Sequence, residues 1–577
     1  MSSTSRWPAV QVAPNSLWEW VVLYAMAALV LLMFACWGVV DLAIQLFGTA
    51  RHAVSVAAAV SGMIHVPAHL GDPRAAWPLA VRAQLPGPAG FYAATALVVL
   101  AAVLGAVVCG ALYRLLPDVG SVGSHRRRGE NAARWARGRD LRTLRVRGPQ
   151  RGRVTLGLAS GRTVAGEERQ SVIVIAPTQS MKTTGLAVPA LLEWDGPVLA
   201  TSVKTDLLRD TIAHRQTVGD VLVFDPVEST GLPAQGWSPL TGAGTWYGAQ
   251  RTAATLCSSA RPGNTTLADA DFWYSAAAKL LAPLLFAAAT VEAGSMADVV
   301  RWTDTQEVDE VRDALQQAGV DEALQAAQAT WSRDERQRSS IYTTAETVLT
   351  AYADPRVLAA AYDPELRPER LLDGSRTTAY LCAPAHEQQR LRPLFATLIE
   401  QLLAAAYEQV AKTGRPLDPP LLLVLDELAN VAAIPTLDTL AATAAGQGIQ
   451  LVSVFQDLAQ IKERYGTRAL TIVNNHRAKL IGSGIADPET LDYAARVLGD
   501  EEITQVSSTA GHEGRASTTQ STTYRSLAPA HVLRQATPGS AVLIYGSLPP
   551  AQIRLRPWFA DRHLRALARP DENGQVR

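Results

Sequence analysis

The sequence predicts an α/β domain that carries an all-helical insertion and follows a two-helix transmembrane anchor. Three observations predict it. Two uncharged apolar runs, Val21–Val40 and Phe91–Tyr113, stand near the start of the chain. A short β-branched strand, a tight polar loop and an apolar helix succeed one another over residues 171–194. Five apolar residues, Leu421–Leu425, end on the acidic pair Asp426 and Glu427. At 577 residues the chain exceeds one ordinary core, so two or three units with connectors are expected.

The first apolar run follows Trp18, Glu19 and Trp20, an aromatic belt at a membrane interface, and its length corresponds to about 30 Å of helix. A cleaved signal peptide fits it less well, because the run starts late, lacks a basic leader and exceeds the usual apolar core of about 7–15 residues. The second run ends at Arg114. Residues 1–120 therefore form the expected anchor, with spans at about 21–40 and 91–113. The intervening residues 41–90, rich in Pro and Gly, read as an irregular extracytoplasmic loop. The arginine-dense stretch 125–153 then predicts a cytoplasmic position for itself, for everything after it and for the N-terminus, in a multi-pass inner-membrane protein. The same arginines could touch anionic headgroups or a phosphate backbone.

Composition excludes several alternatives. The 53 basic and 53 acidic side chains cancel, so no global basicity points to nucleic acid and any such contact must be a local patch. Cys36, Cys109, Cys257 and Cys382 are widely separated, which predicts neither a disulfide framework nor a CxxC metal site. The ten histidines form no ligand cluster with them, so no structural zinc is expected.

Strand, loop and helix at 171–194 are the context of a phosphate-binding loop, and the pattern GxxxxGK(S/T) falls on Ala176 to Thr183. Lys182 and Thr183 match; Ala176 and Met181 replace the two glycines. The expected cradle for ATP is Thr178, Gln179, Ser180, Met181, Lys182, Thr183 and Thr184. Lys182 would neutralise the β- and γ-phosphates, Thr183 would ligate Mg2+, and the helix-start N–H groups would hold the phosphates. A glycine before the lysine lets the backbone wrap closely, so Met181 puts efficient hydrolysis in question. Asp426, at the end of its buried strand, would hold the Mg2+ shell, and Glu427 would polarise the attacking water. A further strand, LVSVF, ends at Gln456 and runs into a helix bearing Gln460; Gln456 is placed to sense the γ-phosphate or orient water.

The succession APTQSMKTTGLAVPALLEWDGPVLATSVKTDL, VFDPVESTGLPAQGWSPL, DADFWYSAAAKLLAPLLFAAA, LVLDELANVAAIPTLDTLAATAAGQGIQLVSVFQDLAQIKERYG and IVNNHRAKLIGSG resembles the TraG-type conjugative coupling proteins of type IV secretion. The resemblance runs from the paired spans to about Phe559. It implies a RecA-like P-loop nucleotide-binding domain with an inserted all-α domain. It also implies a homo-hexameric ring coupling ATP turnover to export of relaxase-bound single-stranded DNA through a type IV secretion channel.

On that reading residues 121–246 and 347–567 are the two parts of the nucleotide-binding domain, 247–346 the insertion, and 568–577 a polar tail. The family pattern GPTxSGKT is broken at Ala176 and Met181. The arginine-glycine stretch that often follows the acidic strand is replaced here by Ala444 to Gly448, which leaves Arg464 and Arg477 as the candidate arginines acting in trans. Residues 507–525, rich in Ser, Thr and Gly, are expected as an exposed loop. Two other readings stay open: a docking receptor that binds nucleotide but hydrolyses it weakly, and a motor for protein effectors without DNA.

Overall fold

The structure, a computed structural model, describes residues 17–48, 54–115, 132–203, 205–262, 270–510 and 516–569. The arginine run 126–128 and the tail 570–577 lie outside the described residues. Two compact units divide the chain, Met1–Arg127 and Arg128–Arg577.

The first unit holds α1 (Leu17–Phe47), α2 (Val56–His65), α3 (Leu79–Arg82) and α4 (Pro88–Leu115). Leu29–Phe47 and Pro88–Gly105 are long and apolar enough to cross a membrane, and only 22% and 11% of these windows is buried within the protein. Leu31, Leu32, Leu104 and Val107 accordingly stand exposed. The two long helices meet where Val40, Ala43 and Ile44 pack with Phe91, Ala94 and Trp77.

The segment between the spans, expected as an irregular loop, is largely helical. Most of its prolines start helices rather than break them: Pro67 and Pro73 sit in the first turns of the 3-10 segments Val66–His69 and Pro73–Ala76, Pro78 caps α3 and Pro88 opens α4. A first-turn residue has no intrahelical use for its N–H, so proline costs nothing there. Gly62 lets α2 lie against the Trp77 ring, which an added Cβ would meet at 2.0 Å.

In the second unit β1 (Thr155–Ala159) and β2 (Arg162–Ala165) precede β3 (Val172–Ile175). A π-turn at Thr183–Ala187 then leads into α5 (Val188–Glu193), followed by β4 (Val198–Ser202), α6 (Asp206–Val218) and β5 (Val221–Phe224). Next comes a wholly helical run: α7 (Trp246–Ala260), α8 (Ala270–Thr290), α9 (Met296–Asp304), α10 (Asp309–Ala318), α11 (Asp321–Trp331), α12 (Glu335–Leu349) and α13 (Pro355–Ala360). The sheet resumes with β6 (Thr378–Cys382), α14 (Gln388–Thr413), β7 (Leu421–Leu425), α15 (Leu428–Val431) and α16 (Leu437–Gln447). Then follow β8 (Ile449–Phe455), α17 (Leu458–Tyr465), α18 (Ala469–Asn475), β9 (Ala478–Gly482) and α19 (Pro488–Leu498). The hairpin β10 (Asp500–Ala510) and β11 (Ala516–Ser526), α20 (Ala530–Gln535), β12 (Ser540–Tyr545), β13 (Ala551–Arg554) and α21 (Arg562–Ala568) complete the unit.

The main sheet has eleven strands in the order β2-β1-β13-β12-β9-β3-β8-β7-β4-β6-β5. The run from β9 to β5 is parallel, and β12, β13, β1 and β2 extend it in antiparallel fashion. β3, β4, β7 and β8 are buried along their whole length, as strands covered by helices on both faces must be.

α8 matches a membrane span in length and composition, yet 61% of its window is buried. Leu280, Leu281, Leu284 and Leu285 join one core with Ile173, Leu199 and Leu381 of the sheet. The helical run thus shares the sheet's hydrophobic core.

Residues 507–525 depart from expectation, because most of them lie in the β10–β11 hairpin, paired in register from Asp500↔Ser526 to Ala510↔Ala516. Composition suggested a loop. The recurring β-branched residues, Thr504, Val506, Thr509, Thr518, Thr519, Thr522 and Thr523, favour extended backbone instead.

His476, just before β9, is buried between Ile472 O at 2.7 Å and Ser453 Oγ at 2.9 Å. Burial pushes it down to about 4 from an ordinary 6.5. The unfolded chain therefore takes up a proton below pH 6.5 that the folded chain refuses until about pH 4. Stability is expected to fall by about 3 kcal/mol as pH drops across that window, and His476→Asn to remove this part of the slope, read from urea midpoints against pH.

Candidate nucleotide site

Residues that follow the carboxyl ends of β3, β4, β6, β7 and β8 meet at one edge of the parallel sheet, the position open α/β sheets use for ligands. A cavity of about 430 Å³ lies there. Of the residues singled out from sequence, Thr178, Gln179, Met181, Lys182, Thr183, Thr184, Asp426, Glu427 and Gln456 all line it. Ser180 does not; it is buried and its hydroxyl donates to Pro177 O at 2.7 Å.

The loop makes its turn without glycine. Gln179 at φ 63° and Met181 at φ 66° occupy the left-handed region, at about 1–2 kcal/mol each for a residue with a Cβ. The bulk that replaces the expected glycines is taken up by glycines across the site. A Cβ added at Gly482, the end of β9, would lie 2.5 Å from Ala176 Cβ, and one added at Gly539 would lie 3.1 Å from Met181 Sδ. Gly482→Ala is therefore expected to destabilise the protein by about 1–3 kcal/mol through overpacking, and Ala176→Gly in the same chain to restore it, as thermal melting would show.

Lys182 is buried. Its Nζ donates to Ala176 O at 3.1 Å and pairs with Glu427 Oε1 at 3.2 Å. Glu427, itself at φ 53°, accepts from Gln456 Nε2 at 2.9 Å, and the Gln456 backbone N–H donates to Gln460 Oε1 at 3.0 Å. Thr183 Oγ1 donates to Asp426 Oδ2 at 2.8 Å, while Thr201 Oγ1 holds the Asp426 carbonyl at 2.8 Å.

Asp426 Oδ1 is buried with no hydrogen-bond partner. Burial, reinforced by Glu427, pushes the Asp426 carboxyl up to about 6, against the opposing pull of Thr183 and Lys182. An orphaned carboxylate oxygen beside a threonine hydroxyl is a hard-oxygen donor set that fits Mg2+.

Three polar residues on the cavity wall escape a motif search: Asp206, Gln388 and Asn430. Asp206 and Gln388 open α6 and α14, the helices after β4 and β6, and Asn430 lies in the short helix after β7. The start of the helix that follows each parallel strand was the signal available in the sequence. Neither candidate trans arginine reaches the cavity. Arg464 is part-buried and donates to Arg261 O and Ser259 O. Arg477 precedes β9, at the opposite sheet edge, with its guanidinium 5.6 Å from the Tyr545 ring centroid.

Comparison with known proteins agrees with this architecture. The VirD4 protein of Rhizobium rhizogenes is 25% identical over 466 residues, 75% of this chain and 66% of that protein. The conjugal transfer protein TraG of Escherichia coli is 26% identical over 361 residues, 58% of this chain and 55% of the relative. The chain thus spans between about half and two thirds of the length of these relatives.

The solved bacterial conjugative coupling protein TrwBdeltaN70 superposes with a TM-score of 0.57 at 19% identity, covering 74% of this chain and 92% of that one. The plasmid coupling protein TrwB in complex with ADP and Mg2+ gives 0.57 at 19% identity, over 74% and 94%. These likenesses show the fold alone, a mixed α/β sheet with helices packed against it. The model of the type IV secretory system conjugative DNA transfer family matches residues 127–574, the whole of the sheet and its helical run, and the chain belongs to that family.

Proposed function

We propose that this protein is a membrane-anchored coupling ATPase of a type IV secretion system, a homo-hexamer that receives relaxase-bound single-stranded DNA and delivers it to the secretion channel. The observation that carries the reading is the convergence of Lys182, Thr183, Asp426, Glu427 and Gln456 on one cavity, in a chain of the conjugative DNA transfer family. The two apolar helices of the first unit support an inner-membrane anchor, with the N-terminus and the large domain in the cytoplasm.

Bound Mg-ATP would supply the phosphoanhydride whose cleavage releases energy. Lys182 would exchange Glu427 for phosphate oxygens, Thr183 and Asp426 would hold the metal, and residues 178–184 would present backbone N–H groups to the phosphates. Released from Lys182, Glu427 orients water together with Gln456. Phosphate release by the full-length protein in nanodiscs tests the reading. Single-stranded DNA is expected to raise turnover more than double-stranded DNA, and indifference to both would remove DNA as the cargo.

A second reading, a docking receptor with weak hydrolysis, is favoured by the left-handed Met181 and by the Lys182–Glu427 pair that nucleotide must break. On it, Met181→Gly leaves stability within about 1 kcal/mol while raising turnover severalfold. Unchanged turnover in that variant would count against the second reading.

A further inference from the structure

α7 ends at Ala260, where the Arg261 N–H caps Cys257 O, and the carbonyls of Ser259 and Arg261 lie beyond that last i to i+4 hydrogen bond. Two arginines from different helices converge on them. Arg464 of α17 donates to Arg261 O at 2.8 Å and Ser259 O at 2.9 Å; Arg392 of α14 donates to Ser259 O at 2.9 Å and Arg261 O at 3.4 Å. Both guanidiniums are part-buried, and neither forms an ion pair among the described residues. Burial pushes both below the usual arginine range, with Arg464 adding to the effect at Arg392 and Arg261 adding to it at Arg464. One cation satisfies a helix end; two like charges in one buried place are more than capping requires.

Their positions on their own helices explain the pair. Arg392 lies four residues, about one turn or 6 Å, beyond Gln388, which lines the cavity. Arg464 lies the same distance beyond Gln460, whose side chain holds the Gln456 backbone N–H. Four residues along a helix is the same face, so Arg392 extends a line that begins at the cavity, and Arg464 one that begins at Gln460, which holds the cavity residue Gln456.

We propose that Arg392 and Arg464 are positioning residues that fasten the helical run to the nucleotide cavity, so that a change at Gln388 or at the Glu427–Gln456–Gln460 chain moves the end of α7. This rests on the nucleotide reading of the cavity. It assigns Arg464 a role within its own subunit, in place of one toward a neighbour.

Hydrogen exchange on the full-length chain in nanodiscs, with and without Mg-ATP, tests it. Nucleotide is expected to change exchange of the amides at residues 257–261 by about tenfold. Arg464→Lys keeps a positive charge beside the helix end but lacks the fork that spans two carbonyls. It is expected to abolish the response at 257–261 while binding nucleotide within about twofold of the parent, and Arg392→Lys to act in the same direction.

A full response in both lysine variants overturns the proposal. Loss of nucleotide binding in them does too, because the arginines would then serve the site itself. A parent chain that binds nucleotide with no change at α7 sinks this inference alone; a parent that binds none sinks the nucleotide reading.

Discussion

Lys182→Ala is expected to abolish DNA-stimulated turnover, by about a hundredfold or more, because it removes a cation buried against the proposed phosphate cradle. A second cost accompanies the chemical one. Glu427 loses its ion-pair partner in a half-open cavity and keeps the bond from Gln456, and removing one member of a buried pair costs about 3–5 kcal/mol when the other stays charged. Discounting for the partial exposure of Glu427 puts the loss at the lower end of that range or below. Phosphate release and a urea midpoint measured on the same preparation separate the two effects. Normal conjugative transfer by a strain carrying only Lys182→Ala would end the motor reading.

Glu427→Gln is expected to split binding from turnover. The carboxylate that orients water is gone, so turnover falls by about 10²- to 10⁴-fold. The same change frees Lys182 from its ion pair, so Mg-nucleotide binds at least as tightly as to the parent. A fluorescent nucleotide titration beside a phosphate-release assay reads both. Equal losses in affinity and turnover would show that Glu427 holds the nucleotide rather than the water.

Much of the site was legible because its parts are local patterns. β-branched Val172–Ile175 before a polar loop, and Leu421–Leu425 before Asp426 and Glu427, mark buried strands that end in chemistry, and each pattern is complete within about ten residues. The departures from the glycine pattern at Ala176 and Met181 were equally plain. Their accommodation was not, because Gly482 and Gly539 lie several hundred residues further along the chain. Prolines in the segment between the spans and threonines in the β10–β11 hairpin misled for a related reason. The same residue types serve loops, helix starts and strands, and only the backbone around them decides which.

By itself the sequence determined the two apolar helices, the buried parallel strands and the placing of Lys182, Thr183, Asp426 and Glu427 just past strand ends, since periodicity and charge at a strand end are written in consecutive residues. Tertiary structure alone decided what those residues meet. Strand order brings Thr183 to Asp426 across 243 positions, adds Asp206, Gln388 and Asn430 to the cavity wall, and turns Arg464 inward to the end of α7. The physical reason is that a strand's neighbours are set by how helices on both faces pack the whole sheet, a property of the shared core and not of any one segment.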